Sequence, residues 1–404
     1  MVLSMKNTEL PAVEGGTPVR KDRLPFSPPY IDNWEIESVI KVMESGWITR
    51  GPVCEEFEKR LSEYTGSPYC LVLNSATAGL FLALKAMGIG EGDEVITTPY
   101  TFAATANSVI HCGARPVFAD IERDSFCISP KEIKKKVGRK TKAIIPVHFG
   151  GRPAELDEIS KIADNHNLTV IEDAAHAIGA CYRGRKIGSG DNIAVFSFHA
   201  VKNLTTAEGG AVALKDESLF RLLKLYSLHG QSKDAFKKLQ AGGWEYDIEL
   251  PGYKFNMTDI QAAIGIEQLK KLDDNIKIRK RIANRYTDFF RNYSFIKVSS
   301  CEEYNECAWH LYPILIDFTG LKIDKKHLIN AIWEEGISLN VHYKPVHMMS
   351  YYNKTFGYKP EDFPVSYRVY KEEISLPIYP GMSDEDVDDV IIAFKKIFDY
   401  YYSR

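Results

Sequence analysis

The chain has 404 residues, 45% of them hydrophobic and 26% charged, with 54 acidic against 51 basic side chains and a formal net charge of −3. That length exceeds one small core and predicts two lobes; without a basic stripe or arginine-rich arm, nucleic-acid binding has no electrostatic footprint. The N-terminus lacks an apolar signal core and no apolar run is long enough to span a bilayer, so a protein working in the cytoplasm is expected.

Residues 1–25, with Pro11, Gly15, Gly16 and Pro18, read as an irregular arm. Trp34 to Met43 is predicted helical, with Ile36, Val39, Ile40 and Met43 on one side, before a turn marked by Gly46, Gly51 and Pro52. Short apolar strands then alternate with helical stretches. Strands are expected at Tyr69–Leu73, Glu94–Thr98, Pro116–Asp120, Ala143–His148 and Leu168–Glu172, and helices at Thr77–Met87, Phe102–His111, Pro130–Lys136 and Glu155–His166. Such alternation implies right-handed crossovers and an α/β fold with a mostly parallel sheet, whose ligands lie beyond the carboxyl ends of the strands.

Two further strands, Ile193–Phe198 and Gly210–Leu214, flank a polar turn that carries Lys202. After Gly252 the pattern changes. Thr258 and Gln261 form a capping box, and Ile260, Ile264, Leu269, Leu272 and Ile276 predict one long helix. It would lead into a C-terminal α+β lobe with a strand at Trp309–Ile316, a helix at Lys325–Glu335 and a final helix from Ser383. The expected organisation is therefore an arm (1–25), a large domain (26–256), and a linking helix with a small domain (257–404). The seven cysteines form no CxxC, and the spacing of Cys301 and Cys307 matches no usual zinc pattern, so unpaired thiols in a reducing compartment are expected.

The loops after the strands carry the chemistry. Asn74-Ser-Ala-Thr-Ala-Gly79 opens a helix with small residues, and free N–H groups there suit a phosphate, although an ordinary Ser/Thr cap reads the same way. Phe102 follows another strand and is either a stacking platform for a planar ring or plain core. Asp173 directly follows a buried strand, where an acid is costly without a positive partner. A protonated pyridine nitrogen would serve. His176 either packs against such a ring or is a satisfied core histidine. Lys202 is either an exposed turn residue or an amine that desolvation turns into a nucleophile. Phosphate cradle, stacking aromatic, pyridinium acid and Schiff-base lysine together describe a site for pyridoxal 5'-phosphate.

The same motifs resemble the DegT/DnrJ/EryC1/StrS sugar aminotransferases, within the aspartate-aminotransferase fold (fold type I). The likeness runs from Gly15-Gly-Thr-Pro-Val-Arg20 to about Phe398. It includes Gly46-Trp-Ile-Thr-Arg-Gly-Pro52, Glu172-Asp-Ala-Ala-His-Ala177, Ser197-Phe-His-Ala-Val-Lys-Asn203 and Gly252-Tyr-Lys-Phe-Asn-Met-Thr-Asp259. The resemblance implies a large domain with a mixed, mostly parallel sheet and a smaller C-terminal domain. It implies Lys202 as the cofactor's covalent anchor, Asp173 as the pyridinium partner, Phe102 as the stacking residue, and Ala76, Thr77 and Ser197 as phosphate contacts. Lys254 stands where many relatives have asparagine reaching the neighbouring subunit's phosphate, which implies a homodimer.

Departures at Ser75-Ala-Thr77, Ala207-Glu-Gly-Gly210 and Gly252-Tyr-Lys-Phe-Asn256 are similar to the branch containing UDP-4-amino-4-deoxy-L-arabinose aminotransferase. They tilt the acceptor towards a nucleotide-linked 4-keto sugar without fixing which sugar or nucleotide, while the family resemblance implies glutamate as amino donor and pyridoxamine 5'-phosphate between the half-reactions. Trp47, the 230–250 segment and His342 are candidate substrate-lining positions, His342 being equally open to a structural role. Three rivals stand beside this reading: a sugar dehydratase, which has histidine where this chain has Lys202; a cyclitol aminotransferase; and a non-catalytic cofactor-binding regulator. An NAD-dependent enzyme lacks support, because no GxGxxG follows the first strand.

Overall fold

The computed structural model describes residues 10–232 and 245–402. Its first lobe contains α1 (Asn33–Glu44), α2 (Pro52–Thr65), β1 (Tyr69–Leu73), α3 (Ala76–Ala86), β2 (Glu94–Thr97), α4 (Ala103–His111) and β3 (Arg115–Phe118). These are followed by α5 (Pro130–Lys136), β4 (Thr141–Ile145), α6 (Leu156–His166), β5 (Thr169–Asp173) and the short pair β6 (Cys181–Tyr182) and β7 (Arg185–Lys186). The lobe closes with β8 (Ile193–Ser197), β9 (Gly210–Leu214) and α7 (Glu217–Ser227).

Seven strands form one sheet in the order β1-β9-β8-β5-β4-β2-β3. Only β9 runs against the rest: it is antiparallel to both β1 and β8, while β8, β5, β4, β2 and β3 pair in parallel. The sheet is therefore mixed and mostly parallel. Its central strands are buried along their length, as the apolar runs of their sequences require.

Helix ends are set by particular side chains. Ser75 caps α3 by accepting the Ala78 N–H at 3.1 Å, and the expected Thr258/Gln261 capping box is present. Asp259, wholly buried, takes the N–H groups of Gly51, Val53 and Cys54 at 2.7, 3.2 and 3.0 Å, so it caps α2 from the far side of the sequence.

The single long helix expected after residue 258 is instead two, α8 (Asp259–Lys270) and α9 (Leu272–Phe290). At the break, Lys271 leaves the helical conformation, and its ammonium is held by Glu35 at 2.6 Å and Asp32 at 3.0 Å beside the start of α1. The hydrophobic periodicity survives the break, because Leu269 and Leu272 are both buried in one core.

The second lobe comprises β10 (Ile296–Val298), β11 (Asn305–Glu306), β12 (Tyr312–Ile316), α10 (Lys325–Glu334), α11 (Ser350–Phe356), α12 (Pro364–Glu372), β13 (Glu373–Leu376) and α13 (Asp384–Tyr401). A three-stranded antiparallel sheet, β10-β12-β13, packs with α9, α10 and α13 around one core. Ser383 and Asp386 box the start of α13, and Val387, Phe394 and Phe398 are buried, each worth about 1.5–3 kcal/mol as removed apolar surface. The N-terminal arm joins this lobe. Buried Glu335 accepts the N–H groups of Ala12 and Val19 and pairs with Lys396, and Leu24 lies in the same core.

The expectation of unpaired thiols fails at one place: Cys301 and Cys307 form a disulfide across a turn closed by the Asn305 N–H on the Glu302 carbonyl at 2.9 Å. The other five cysteines are buried and free. Among the described residues, no helix is long and apolar enough to cross a membrane.

Candidate active site

The sheet brings the strand-end loops to one cavity of about 570 Å³. The register explains how: Gly210, where β9 begins, lies opposite Leu73 at the end of β1 and Ser197 at the end of β8. A side chain at Gly210 would lie 2.5 Å from the Ala76 nitrogen, so only glycine lets β9 approach the start of α3 so closely. The N–H groups of Ala76 and Thr77, in the first turn of that helix, have no intrahelical acceptor and border the cavity beside Ser197. This is an anion cradle.

Asp173 ends β5 and is buried. One carboxylate oxygen accepts the Thr105 hydroxyl at 2.8 Å and the other the Ala175 N–H at 3.2 Å. Thr101 in turn bonds Thr105 at 2.8 Å, which fixes the hydroxyl's direction. Burial raises the Asp173 pKa, against the opposing pull of these donors and of the Lys202 charge. Among the described residues no cation forms an ion pair with it. A buried acid so placed, bordering a cavity, calls for a cationic group within that cavity.

Lys202 stands in the turn after β8, half-buried because it borders the same cavity. Burial pushes its ammonium down to about 8, with Asp173 acting in the other direction. An amine in that range is available as a nucleophile and base near neutral pH, which an ordinary lysine is not.

His176 lies in the turn after β5, its Nδ1 accepting the Gly150 N–H at 3.2 Å. The ring is buried, and burial drives its pKa well down, so it is neutral and carries its proton on Nε2. That nitrogen faces the Tyr343 hydroxyl at 3.1 Å. Phe102 borders the cavity as the N-cap of α4 and is 63% exposed, so it is no core residue.

The opposite wall comes from residues 340–344, including His342 and Tyr343. Trp47 and Lys254 lie outside this cavity. The Trp47 indole donates to the Arg50 carbonyl at 3.1 Å against the start of α2, and Lys254 is exposed beside Leu228. Of the 230–250 segment, residues 233–244 lie outside the described residues.

Sequence reading missed three residues here. His310 is buried with Nε2 3.5 Å from the Lys202 amine, and its ring lies 4.5 Å from that of His176. Thr105 orients Asp173, and Tyr343 faces His176. His310 stands 108 residues from Lys202 with no local motif to mark it. Thr105 was within reach, as the hydroxyl one helical turn beyond Thr101 at a strand-end loop.

These residues fit pyridoxal 5'-phosphate: an anion cradle of backbone N–H groups, a buried acid lacking a cation, and a desolvated lysine, all on one cavity. Bound there, the cofactor supplies an electron sink; Ala76 and Thr77 would take its phosphate, Asp173 its ring nitrogen and Lys202 its carbonyl carbon.

Comparison with known proteins agrees. The model of the DegT/DnrJ/EryC1/StrS aminotransferase family matches residues 29–395. The chain is 47% identical over 380 residues to the spore coat polysaccharide biosynthesis protein SpsC of Bacillus subtilis, covering 94% of this chain and 98% of that protein. Among solved structures it resembles Spr1654 of Streptococcus pneumoniae in its PMP form, with a TM-score of 0.87 and 38% identity over 93% of this chain and 99% of that one. PseC of Helicobacter pylori, an aminotransferase involved in the biosynthesis of pseudoaminic acid, gives a TM-score of 0.86 and 32% identity over 94% of this chain and all (100%) of that one. The chain belongs to the DegT/DnrJ/EryC1/StrS aminotransferase family.

Proposed function

We propose that this protein is a pyridoxal 5'-phosphate-dependent aminotransferase that moves an amino group from glutamate to a nucleotide-linked 4-keto sugar, for the synthesis of an amino sugar of a surface polysaccharide. The observation that carries the reading is the desolvated amine of Lys202 sharing one cavity with the buried, cation-less carboxylate of Asp173. Lys202 Nζ would hold the cofactor and, as a free amine, would take the proton from the donor's Cα. Asp173 holds the proton on the ring nitrogen, and Thr105 keeps that carboxylate aimed. Ala76, Thr77 and Ser197 would take the cofactor's phosphate, and Phe102 and His176, which border the same cavity, would hold its ring.

A dehydratase is disfavoured because Lys202 occupies the position where that enzyme has histidine. A regulator without turnover has no use for an amine tuned to about 8. The roles of SpsC in spore coat polysaccharide and of PseC in pseudoaminic acid biosynthesis support a sugar acceptor. The nucleotide linkage, the 4-keto position and glutamate rest on the motif resemblance alone. Nucleotide-linked substrates place the reaction in the cytoplasm.

The active form is proposed as a homodimer. Ile36, Ile40 and Met43 on one face of α1 are 53%, 48% and 61% exposed, an apolar stripe of the kind an oligomer buries. Lys254 and Trp47, both outside the cavity of their own chain, would then serve the partner's site. The test is to load the purified protein with glutamate and offer a panel of UDP-, dTDP- and GDP-linked 4-keto-6-deoxyhexoses. Return of the pyridoxal form with one member, and formation of its 4-amino product, is expected; no return with any member overturns the reading.

A further inference from the structure

His342 is held from every side. Its N–H donates to Glu373 Oε2 at 2.9 Å, its carbonyl accepts the hydroxyl of buried Tyr100 at 2.6 Å, and its ring stacks on Phe26 with centroids 5.5 Å apart. Its Nδ1 lies 2.9 Å from Ser375 Oγ, and that same hydroxyl donates to Glu373 Oε1. Glu373 and Ser375 are fully buried, and the segment 340–342 is fastened to β13 by a backbone pair between Asn340 and Ser375.

With Glu373 ionised, the proton count in this chain has one solution. Ser375 has a single proton, and both oxygens of Glu373 already accept donors, as an ionised carboxylate does. Burial pushes the Glu373 carboxyl up to about 7, against the Lys325 charge and the Ser375 and His342 donors that favour ionisation, so the carboxylate form prevails above that pH. A charge-assisted bond to a carboxylate is stronger than one to a neutral imidazole, so the serine proton goes to Glu373. Ser375 Oγ can then only accept from His342, which puts the histidine proton on Nδ1. The ring carries no second proton, because burial and the nearby Lys202 charge drive its pKa down to about 3. Nε2 is left without a proton and accepts only a long bond, 3.4 Å, from the Asn340 amide nitrogen, one that a hydroxyl entering the cavity both residues border can replace.

We infer that Glu373, acting through Ser375, fixes His342 as the Nδ1–H tautomer so that its Nε2 accepts a hydrogen bond from a hydroxyl of the sugar. A bare ring nitrogen repels the carboxylates of the amino donor and welcomes a hydroxyl, so this position discriminates between the two substrates that share one cavity. Glu373 and Ser375 are positioning residues; His342 makes the contact. The sugar contact rests on the aminotransferase reading above, whereas the tautomer does not.

The experiment has two parts for that reason. Protein labelled with ¹⁵N-histidine, with the His342 signals assigned by their loss in His342→Gln, should show the proton on Nδ1 in the unsubstituted chain. A proton on Nε2, or a rapidly exchanging mixture, overturns the inference whatever the enzyme's substrate. Ser375→Ala should release the tautomer and raise KM for whichever panel sugar is turned over by about tenfold, the effect of one lost hydrogen bond, while KM for glutamate changes far less. Ser375→Thr, which keeps the hydroxyl, should restore most of the loss. An unchanged sugar KM in Ser375→Ala overturns the sugar contact. If no sugar on the panel reacts, the function proposed above fails while the spectrum still decides the tautomer.

Discussion

The wall of the cavity that the seven-stranded sheet supplies is made of residues close in sequence to a strand end: Asp173 ends β5, Ser197 ends β8, Lys202 lies in the next turn, and Ala76 and Thr77 open the helix after β1. The wall facing it is made otherwise. His342 and Tyr343 come from the second lobe, with buried Glu373 and Ser375 behind His342 and buried His310 beside Lys202, and they acquire their surroundings through partners distant in sequence, such as Tyr100 for His342 and Lys202 for His310. On the function proposed above, the first wall would hold the cofactor and serve its electron flow, which any member of such a family needs. The second would, on the same proposal, meet the variable part of the substrate. Chemistry here is built from local motifs, and selectivity from contacts that only folding assembles.

That division can be broken by substitution, beginning with the sheet wall. Lys202→Ala should lower turnover by about 10⁴-fold or more, because anchor and proton carrier are lost together; single-turnover rates with glutamate measure it. Normal turnover with a retained chromophore would remove the assignment. Asp173→Asn should leave cofactor binding largely intact and slow the proton transfer by about 100-fold, since an amide holds the ring proton poorly. Cofactor affinity and the glutamate half-reaction, measured separately, distinguish the two effects.

A smaller effect comes from pH. With the Lys202 ammonium lowered to about 8, the neutral amine grows as pH rises and is nearly complete about one unit above that value. Capture of pyridoxal 5'-phosphate by the apoprotein should therefore rise roughly tenfold from pH 6 to 7 and level off above about 9. A rise continuing beyond pH 10 would show an ordinary, solvated lysine. The smallest change is expected on the other wall. Tyr343→Phe removes the oxygen that faces His176 Nε2, and should raise KM for the sugar by about fivefold with little change in kcat, the cost of one neutral hydrogen bond. A kcat loss as large as that of Asp173→Asn would mean the two walls do not divide the work as described.

Much of the first wall was legible because strand ends announce themselves. An apolar run followed by Asp173, or a turn carrying Lys202 between two apolar runs, is visible without knowing what lies across the cavity. Phe102 had two readings from sequence, platform or core, and its exposure removes the second. The single helix after residue 258 failed for the opposite reason. Its periodicity was genuine, but the break at Lys271 depends on Asp32 and Glu35, more than two hundred residues upstream (239 to Asp32). The Cys301–Cys307 pair was missed because a disulfide depends on how the chain turns between the two residues, which spacing does not state.

By itself the sequence determined the alternation of strands and helices, the capping box at Thr258, the start of the last helix at Ser383, and the set of groups able to hold a phosphate, a ring nitrogen and a carbonyl carbon. Each depends on neighbours within a few residues, whose periodicity and turn chemistry are written locally. Tertiary structure alone decided that β9 runs backwards so that Gly210 meets Ala76, that Glu335 fastens the arm to the second lobe, and that Glu373 dictates the proton on His342. Those outcomes rest on burial and on hydrogen bonds between residues far apart in sequence, where desolvation makes each unpaired group costly and leaves one arrangement satisfied.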